Sequence, residues 1–194
     1  MNPTTICRTL LFFSILFSFT TMAQTQKGEF INAHIGLGVS ASYADIDLQG
    51  TGLYAQAEYV WGFRTWFSLR PYIGVIFTDT DQDEISENLR GFEVSNNAFL
   101  FGGKFRIAAP ILYVAPYLEL GLGASAGSFV TRTPWEDIDR KGVLVHIPFT
   151  LGLALGKHNR VGLELSYYFT PAAKQFSGAL ALGLAFPINR SKNK

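Results

Sequence analysis

The chain has 194 residues and a formal net charge of +1, with 48% hydrophobic and only 16% charged residues. This charged fraction is well below the roughly 25% of ordinary soluble domains, and so small a net charge gives no support for nucleic-acid binding. The apolar content argues against general disorder, and a single cysteine excludes an internal disulfide scaffold.

The N-terminal segment, residues 1–23, has the organisation of a secretory signal peptide. Arg8 precedes an apolar core over residues 10–19, and Thr21-Met22-Ala23 is a small-x-small cleavage site. The core is too short for a transmembrane anchor, which needs about 20 apolar residues. We therefore predict that the chain is exported and that Cys7 leaves with the signal.

Beyond the signal, apolar residues recur at every second position. In residues 30–43 the odd positions from Ile31 to Tyr43 are apolar, whereas the even positions from Asn32 to Ser42 are small or polar. A helix would mix these two sets, so the period of two predicts a β-strand with one apolar face. The same pattern predicts strands at 30–43, 53–63, 67–78, 97–107, 113–128, 144–156, 160–170 and 176–188.

The lengths of the strands and connectors favour a membrane barrel. The strands have roughly 10–14 residues, compared with about 5–6 in globular proteins and about 9–11 in tilted membrane-spanning strands. The short connectors are 62–66, 108–112 and 157–159, the long ones are 78–95 and 129–143, and 44–51 and 171–175 are intermediate. Short turns at one end and long loops at the other are typical of an outer-membrane barrel with both termini in the periplasm.

The alternative is a secreted soluble barrel or sandwich, such as a lipocalin-like binder, with a polar outer face. The second face of these strands is rich in glycine and carries few, balanced charges, so it is too sparse to be a solvated exterior. We therefore predict an all-β fold, an eight-stranded antiparallel up-and-down transmembrane β-barrel.

Aromatic residues cluster near both ends of the predicted strands. Two such bands are expected where a barrel crosses the two membrane interfaces. The predicted girdle residues are Tyr43, Trp61, Phe63, Trp66, Phe67, Phe77, Phe129, Phe169 and Phe186.

Four strand segments carry a family resemblance: AHIGLG at 33–38, RPYIG at 70–74, APYLELG at 115–121 and ALGLAF at 181–186. With the signal peptide and the eight strands, they resemble small bacterial outer-membrane barrels of the porin-family or opacity type, akin to the transmembrane domain of OmpA. The resemblance implies the outer membrane of a Gram-negative bacterium. It also implies contact with outer-membrane lipid, lipopolysaccharide and the barrel-assembly machinery.

The predicted domain organisation is a signal peptide at 1–23, an outer-membrane barrel at 24–190 and a basic tail at 191–194. We expect a monomer with no cofactor and no nucleic-acid partner. Its extracellular partner is unknown.

The interior of an eight-stranded barrel is only wide enough for side chains to fill. The predicted inward ionisable residues are Glu58, Arg70, Lys104, Arg106, Glu119, Glu164, His34 and His146. Glu58 and Arg70 each lie six residues from Arg64, the expected centre of the first turn, so we predict that they face each other as an ion pair. Three acids against three bases favour a lumen plugged by salt bridges, with glycines making room for Tyr72 and Tyr117. The alternative is a narrow pore for ions or small solutes.

The sequence supports a catalytic site less well than it supports a lumen plugged by salt bridges. His34 or His146 with Ser166 and Glu164 could form a Ser-His-acid site, but no local motif supports one. We therefore predict no catalytic residues, and a lipid-modifying barrel enzyme is the less favoured alternative.

The long loops provide the remaining candidate surface. Asp79, Asp81 and Asp83 have calcium-like spacing, but the glycine and bidentate glutamate of a calcium loop are missing, so we predict no metal site. Phe92 and Trp135 are candidate anchors for a partner. The loops are acidic and the short turns basic, so we predict a structural or surface-interaction role through acidic external loops.

Overall fold

Eight antiparallel strands close into a barrel. The computed structural model describes residues 28–43, 48–80, 91–135 and 137–188, so the predicted signal peptide and C-terminal tail lie outside the described residues. The strands are β1 (Gly28–Ser42), β2 (Gln49–Gly62), β3 (Phe67–Asp79), β4 (Glu93–Ala108), β5 (Tyr113–Arg132), β6 (Asp137–Gly156), β7 (Val161–Thr170) and β8 (Gln175–Pro187). Each strand pairs with its neighbours in sequence and β1 pairs with β8, which confirms the predicted up-and-down topology.

Successive side chains alternate between the lumen and the outer surface. In β7, Glu164 and Ser166 are buried, whereas Leu165 between them is exposed. Leu37 is 71% exposed and Leu182 is 62% exposed, so the apolar face of the strands lies outside and the polar face lines the lumen. We call the outer face the apolar belt. It includes Ile35, Leu37, Leu53, Ile73, Phe99, Leu122, Val145, Leu165, Leu182 and Leu184.

The connections define a short-turn end and a long-loop end. In the first short turn, Arg64 and Phe67 exchange backbone hydrogen bonds of 3.1 and 3.4 Å, so Thr65 and Trp66 are the turn residues. The β7–β8 connection at the long-loop end contains the 3₁₀ turn Pro171–Ala173. Across the described ranges, no helix combines the length and the apolar character that crossing a membrane would require.

β5 and β6 form a hairpin that extends past the end of β7. Each has 20 residues, whereas β7 has 10. The predicted long loop over 129–143 is therefore wrong, because most of it is strand. The β6 part of this segment does not alternate between apolar and polar residues, because residues 137–143 are exposed on both faces apart from the half-buried Ile138. Arg132 of β5 contacts acids on both neighbouring strands: it lies 2.8 Å from Glu93 on β4, and 3.6 and 3.7 Å from Asp139 and Asp137 on β6.

Candidate functional site

The lumen contains a group of ionisable side chains that we call the ion cluster. Its members are Glu58, Arg70, Lys104, Arg106, Glu119, Glu164 and His34. All seven are buried. They come from β1 to β5 and β7, and the alternation of each strand directs its side chain to the inner face. Closure of the barrel then brings three carboxylates and three permanent cations together.

Lys104 bridges the two central carboxylates of the ion cluster. Its Nζ lies 2.5 Å from Glu58 Oε1 and 2.8 Å from Glu119 Oε2. Arg70 donates to Glu58 at 2.8 Å, and Arg106 Nε donates to Glu119 at 2.5 Å. Each carboxylate therefore has two close cations, which offset the cost of removing these charges from water.

The third carboxylate, Glu164, binds a separate set of partners. Its Oε1 lies 3.2 Å from His34 Nδ1, and its Oε2 accepts a hydrogen bond of 3.2 Å from the Tyr117 hydroxyl. The Arg106 guanidinium lies 3.4 Å from the centre of the Tyr117 ring. Tyr117 therefore connects the Arg106–Glu119 pair to Glu164.

The predicted ion pair between Glu58 and Arg70 is present, but the predicted register is wrong. Glu58 lies opposite Tyr72 in the β2–β3 ladder, and Arg70 is its diagonal neighbour. The ladder is centred on Thr65 rather than Arg64, because the turn lies one residue later than the sequence suggested. Diagonal neighbours share a face and remain within reach of long side chains.

His146 lies outside the ion cluster, contrary to the prediction. Its Nε2 is 2.5 Å from the Tyr72 hydroxyl and its Nδ1 is 2.6 Å from Ser125 Oγ. Its ring lies edge-on to that of Tyr168. The period of two gives the face on which a side chain lies, but not its depth along the lumen.

A chain of hydrogen bonds that the sequence analysis did not identify leads from the ion cluster to the tyrosines. Gln56 donates to Glu58 at 2.8 Å, and Tyr168 donates to Gln56 at 2.6 Å. The Tyr54 and Tyr168 hydroxyls are 2.8 Å apart. Tyr54 and Tyr168 share the inward parity of Glu58 and Glu164, and this parity was the available signal.

An apolar layer fills the part of the lumen towards the long-loop end. It contains Tyr54, Ile76, Ala98, Leu100, Phe129, Tyr168, Ala173, Ala179 and Ala181, with Leu144 packed against it. The prediction of Phe129 as a girdle residue is wrong, because its ring is 0% exposed. In β5 it has the parity of the inward residues Glu119 and Ser125, so it points away from the outer surface.

Inward glycines make room for the large rings, as predicted. A Cβ at Gly152 would overlap the Tyr117 ring, and one at Gly102 or Gly123 would meet the Tyr72 hydroxyl. At the short-turn end, a cavity of about 50 Å³ is lined by Arg70 and Arg106, so the ion cluster forms its inner wall.

The other predicted girdle residues lie on the outside. Trp61, Phe63, Trp66, Phe67 and Phe186 are located near the short-turn end, and Tyr43, Phe77 and Phe169 near the long-loop end. Tyr43 stacks on Phe169 and Phe176 with ring centroids 5.3 and 6.1 Å apart. Phe176 also stacks on Tyr167 at 5.1 Å, which adds two rings to the long-loop band.

Of the hydrolytic site considered from the sequence, the described residues show the contact of His34 with Glu164 at 3.2 Å. Ser166 lies 3.0 Å from Thr150, and the buried serine that contacts His146 is Ser125. The third partner of this pair is Tyr72, a phenol rather than a carboxylate. Within the described residues, no group of three or more His, Cys, Asp or Glu side chains is placed to hold a metal ion.

The candidate loop contacts occupy different environments. Asp79 is exposed, Phe92 is half-buried and Trp135 is 78% exposed, while positions 81 and 83 lie outside the described residues. The β5–β6 hairpin carries Arg132, Arg140 and Lys141 besides its acids. Its charge is therefore more mixed than the predicted acidic loop surface.

No protein-family model matches the chain, and no curated protein matches it. Its structure is similar to Neisserial surface protein A, with a TM-score of 0.51 and 14% identity over 84% of this chain and 98% of that one. The Yersinia pestis attachment invasion locus protein Ail, solved with the heparin analogue sucrose octasulfate, gives a TM-score of 0.47 and 16% identity over 83% and 99%. The N-terminal β-barrel domain of Pseudomonas aeruginosa OprF gives 0.48 and 10% over 82% and 98%. The chain thus has the fold of the small eight-stranded barrels of bacterial outer membranes.

Proposed function

We propose that this protein is a non-enzymatic, integral outer-membrane barrel that acts through the surface of its long-loop end. In this proposal the short-turn end faces the periplasm and the lumen stays closed. The observation that carries it is the filled lumen, in which the ion cluster, the tyrosines and the apolar layer follow one another along the barrel.

The apolar belt supports the membrane location. Leu37, Leu122 and Leu182 are each more than half exposed although they lie within the strands. Large exposed apolar surfaces are rare in soluble monomers. Hydrocarbon chains of outer-membrane lipid and lipopolysaccharide cover the belt in this proposal, after the barrel-assembly machinery has inserted the chain.

The closed lumen supports a surface role over transport. Lys104, Glu58 and Glu119 are each at most 1% exposed. A conducting path past these side chains would have to separate their charges. Separating a buried, hydrogen-bonded ion pair costs several kcal/mol. The long-loop end, where the β5–β6 hairpin carries both acids and bases, then offers a surface for interaction.

Three measurements test the proposal. After density-gradient fractionation of cells, the protein should be recovered with the outer membrane, and recovery in the soluble periplasm would contradict the location. Purified protein in planar bilayers should give no reproducible current, whereas stepwise conductance would favour the pore. Mass spectrometry of lipid A should give the same spectrum with and without the protein, and a new acylation pattern would indicate an enzyme.

A further inference from the structure

One edge of the β5–β6 hairpin lacks a neighbouring strand. β6 pairs with β5 as far as Asp137, but it pairs with β7 only as far as Ile147. In the described part of the chain, no strand pairs with the other edge of residues 137–146. The 3₁₀ turn Pro171–Ala173 contacts β6 beside the end of β7. We therefore call residues 137–143 the open edge.

The open edge has the backbone chemistry of a pairing surface. Alternate residues of an edge strand direct their N–H and C=O groups away from the sheet, where another strand can bind them. Six of its seven residues are exposed, Ile138 being the half-buried one. Asp139 and Lys141 share the outward parity of Val145, whereas Arg140 shares the inward parity of His146.

The charges of the open edge are complementary to those of a second copy. If two such edges pair antiparallel about Arg140, Asp139 of each copy lies opposite Lys141 of the other. Opposite charges on directly facing residues stabilise an antiparallel pair. In the same register Ile138 lies opposite Gly142, which leaves room for the larger side chain. The two Arg140 side chains meet at the axis, and their repulsion limits the strength of a single contact.

The direction of β6 determines where the second copy lies. All copies in one membrane run β6 from the long-loop end to the short-turn end, so their β6 strands are parallel. An antiparallel contact requires the second barrel to be inverted. We propose that the open edge joins the open edge of a second copy in a facing membrane, so that many weak contacts hold two outer membranes together. This inference rests on the proposed outer-membrane location and deepens the proposed surface role.

The test uses the predicted mature chain, residues 24–194, in two populations of phosphatidylcholine liposomes that carry different dyes. Protease added outside establishes that the long-loop end is exposed, and heat-dependent gel mobility establishes that each variant is folded. Clustering is measured as energy transfer between the dyes. Wild-type liposomes should cluster. D139K and K141D should each weaken clustering about tenfold, because two attractive pairs become repulsive.

The decisive arm mixes the two variants. D139K liposomes mixed with K141D liposomes should cluster as wild type does, because each lysine of one copy then faces an aspartate of the other. The double variant D139K/K141D should also cluster with itself. The matched control is D79K, which makes the same charge change at the same end of the barrel but off the open edge, and it should cluster normally.

Separate results would overturn the contact between copies and the Asp139–Lys141 register. Absence of clustering by folded wild-type protein excludes a contact between copies, and binding of an extended peptide to the same protein would assign the edge to another chain. Clustering that D139K and K141D leave unchanged, or failure of the mixed arm, excludes the Asp139–Lys141 register. Conductance measured on the same liposomes reports separately on the closed lumen, so the two proposals can fail independently.

Discussion

Arg70 donates a hydrogen bond of 2.8 Å to Glu58 from a diagonal position in the β2–β3 ladder. The residue directly opposite Glu58 is Tyr72. A long, forked guanidinium can reach a diagonal neighbour on the same face, so the pairing tolerates a shift in register that would separate shorter side chains.

Removal of the Glu58 charge should destabilise the barrel. E58Q leaves Arg70 and Lys104 buried with fewer compensating charges, and we expect a loss of about 3 kcal/mol in the free energy of unfolding. Urea titration in lipid vesicles, followed by tryptophan fluorescence, measures this loss. The control is E93Q, whose partner Arg132 is partly exposed, with an expected loss below about 1 kcal/mol. An unchanged midpoint for E58Q would contradict the assigned role of the ion cluster.

Removal of a cation together with the acid should restore part of this stability. E58Q/K104M eliminates one charge of each sign, so the remaining acids and bases are again balanced in number. The double variant should be more stable than the sum of the single losses predicts, by about 1 kcal/mol or more. A double-mutant cycle in the same urea titration gives this coupling. Strict additivity would show that Lys104 and Glu58 act independently.

A methyl group at Gly152 should strain the lumen. The added Cβ in G152A would overlap the Tyr117 ring, and we expect a destabilisation of about 1–3 kcal/mol. G103A is the matched control, because a Cβ at Gly103 has no atom within 4 Å, and its stability should change by less than about 0.5 kcal/mol. Equal effects of the two substitutions would show that Tyr117 can move aside.

A charge in the apolar belt distinguishes a membrane barrel from a soluble one. Leu182 lies near the middle of β8 and is 62% exposed. In a bilayer, L182R should cost about 2–4 kcal/mol, because the guanidinium would lie among hydrocarbon chains. In water the same substitution would be close to neutral or would improve solubility. Unfolding from vesicles gives the cost, and a neutral result would remove the main support for the membrane location.

Much of the fold was predictable because the strands have a strict period of two. The lumen and the belt differ so strongly in polarity that residues such as Glu164 and Leu165 indicate their own faces. The parity of Phe129 was also available, but its place near a strand end suggested a girdle residue.

Register, depth and strand extension were harder to predict. The position of His146 along the lumen depends on the tilt and stagger of the strands, which no local pattern encodes. The alternating pattern did not predict the outer parts of β5 and β6, because strand residues outside the apolar belt need no apolar face. Their pairing is visible only through contacts across the hairpin, such as those of Arg132 with Asp137 and Asp139.

The distribution of the ion cluster around the barrel wall has a consequence for folding. Lys104 on β4 joins Glu58 on β2 to Glu119 on β5, and His34 on β1 meets Glu164 on β7 across the intervening β8. A partly formed sheet that lacks β1 or β7 therefore lacks one partner of the His34–Glu164 contact. Complete pairing of the ion cluster therefore requires closure of the β1–β8 seam, and this pairing favours the closed barrel over an open sheet.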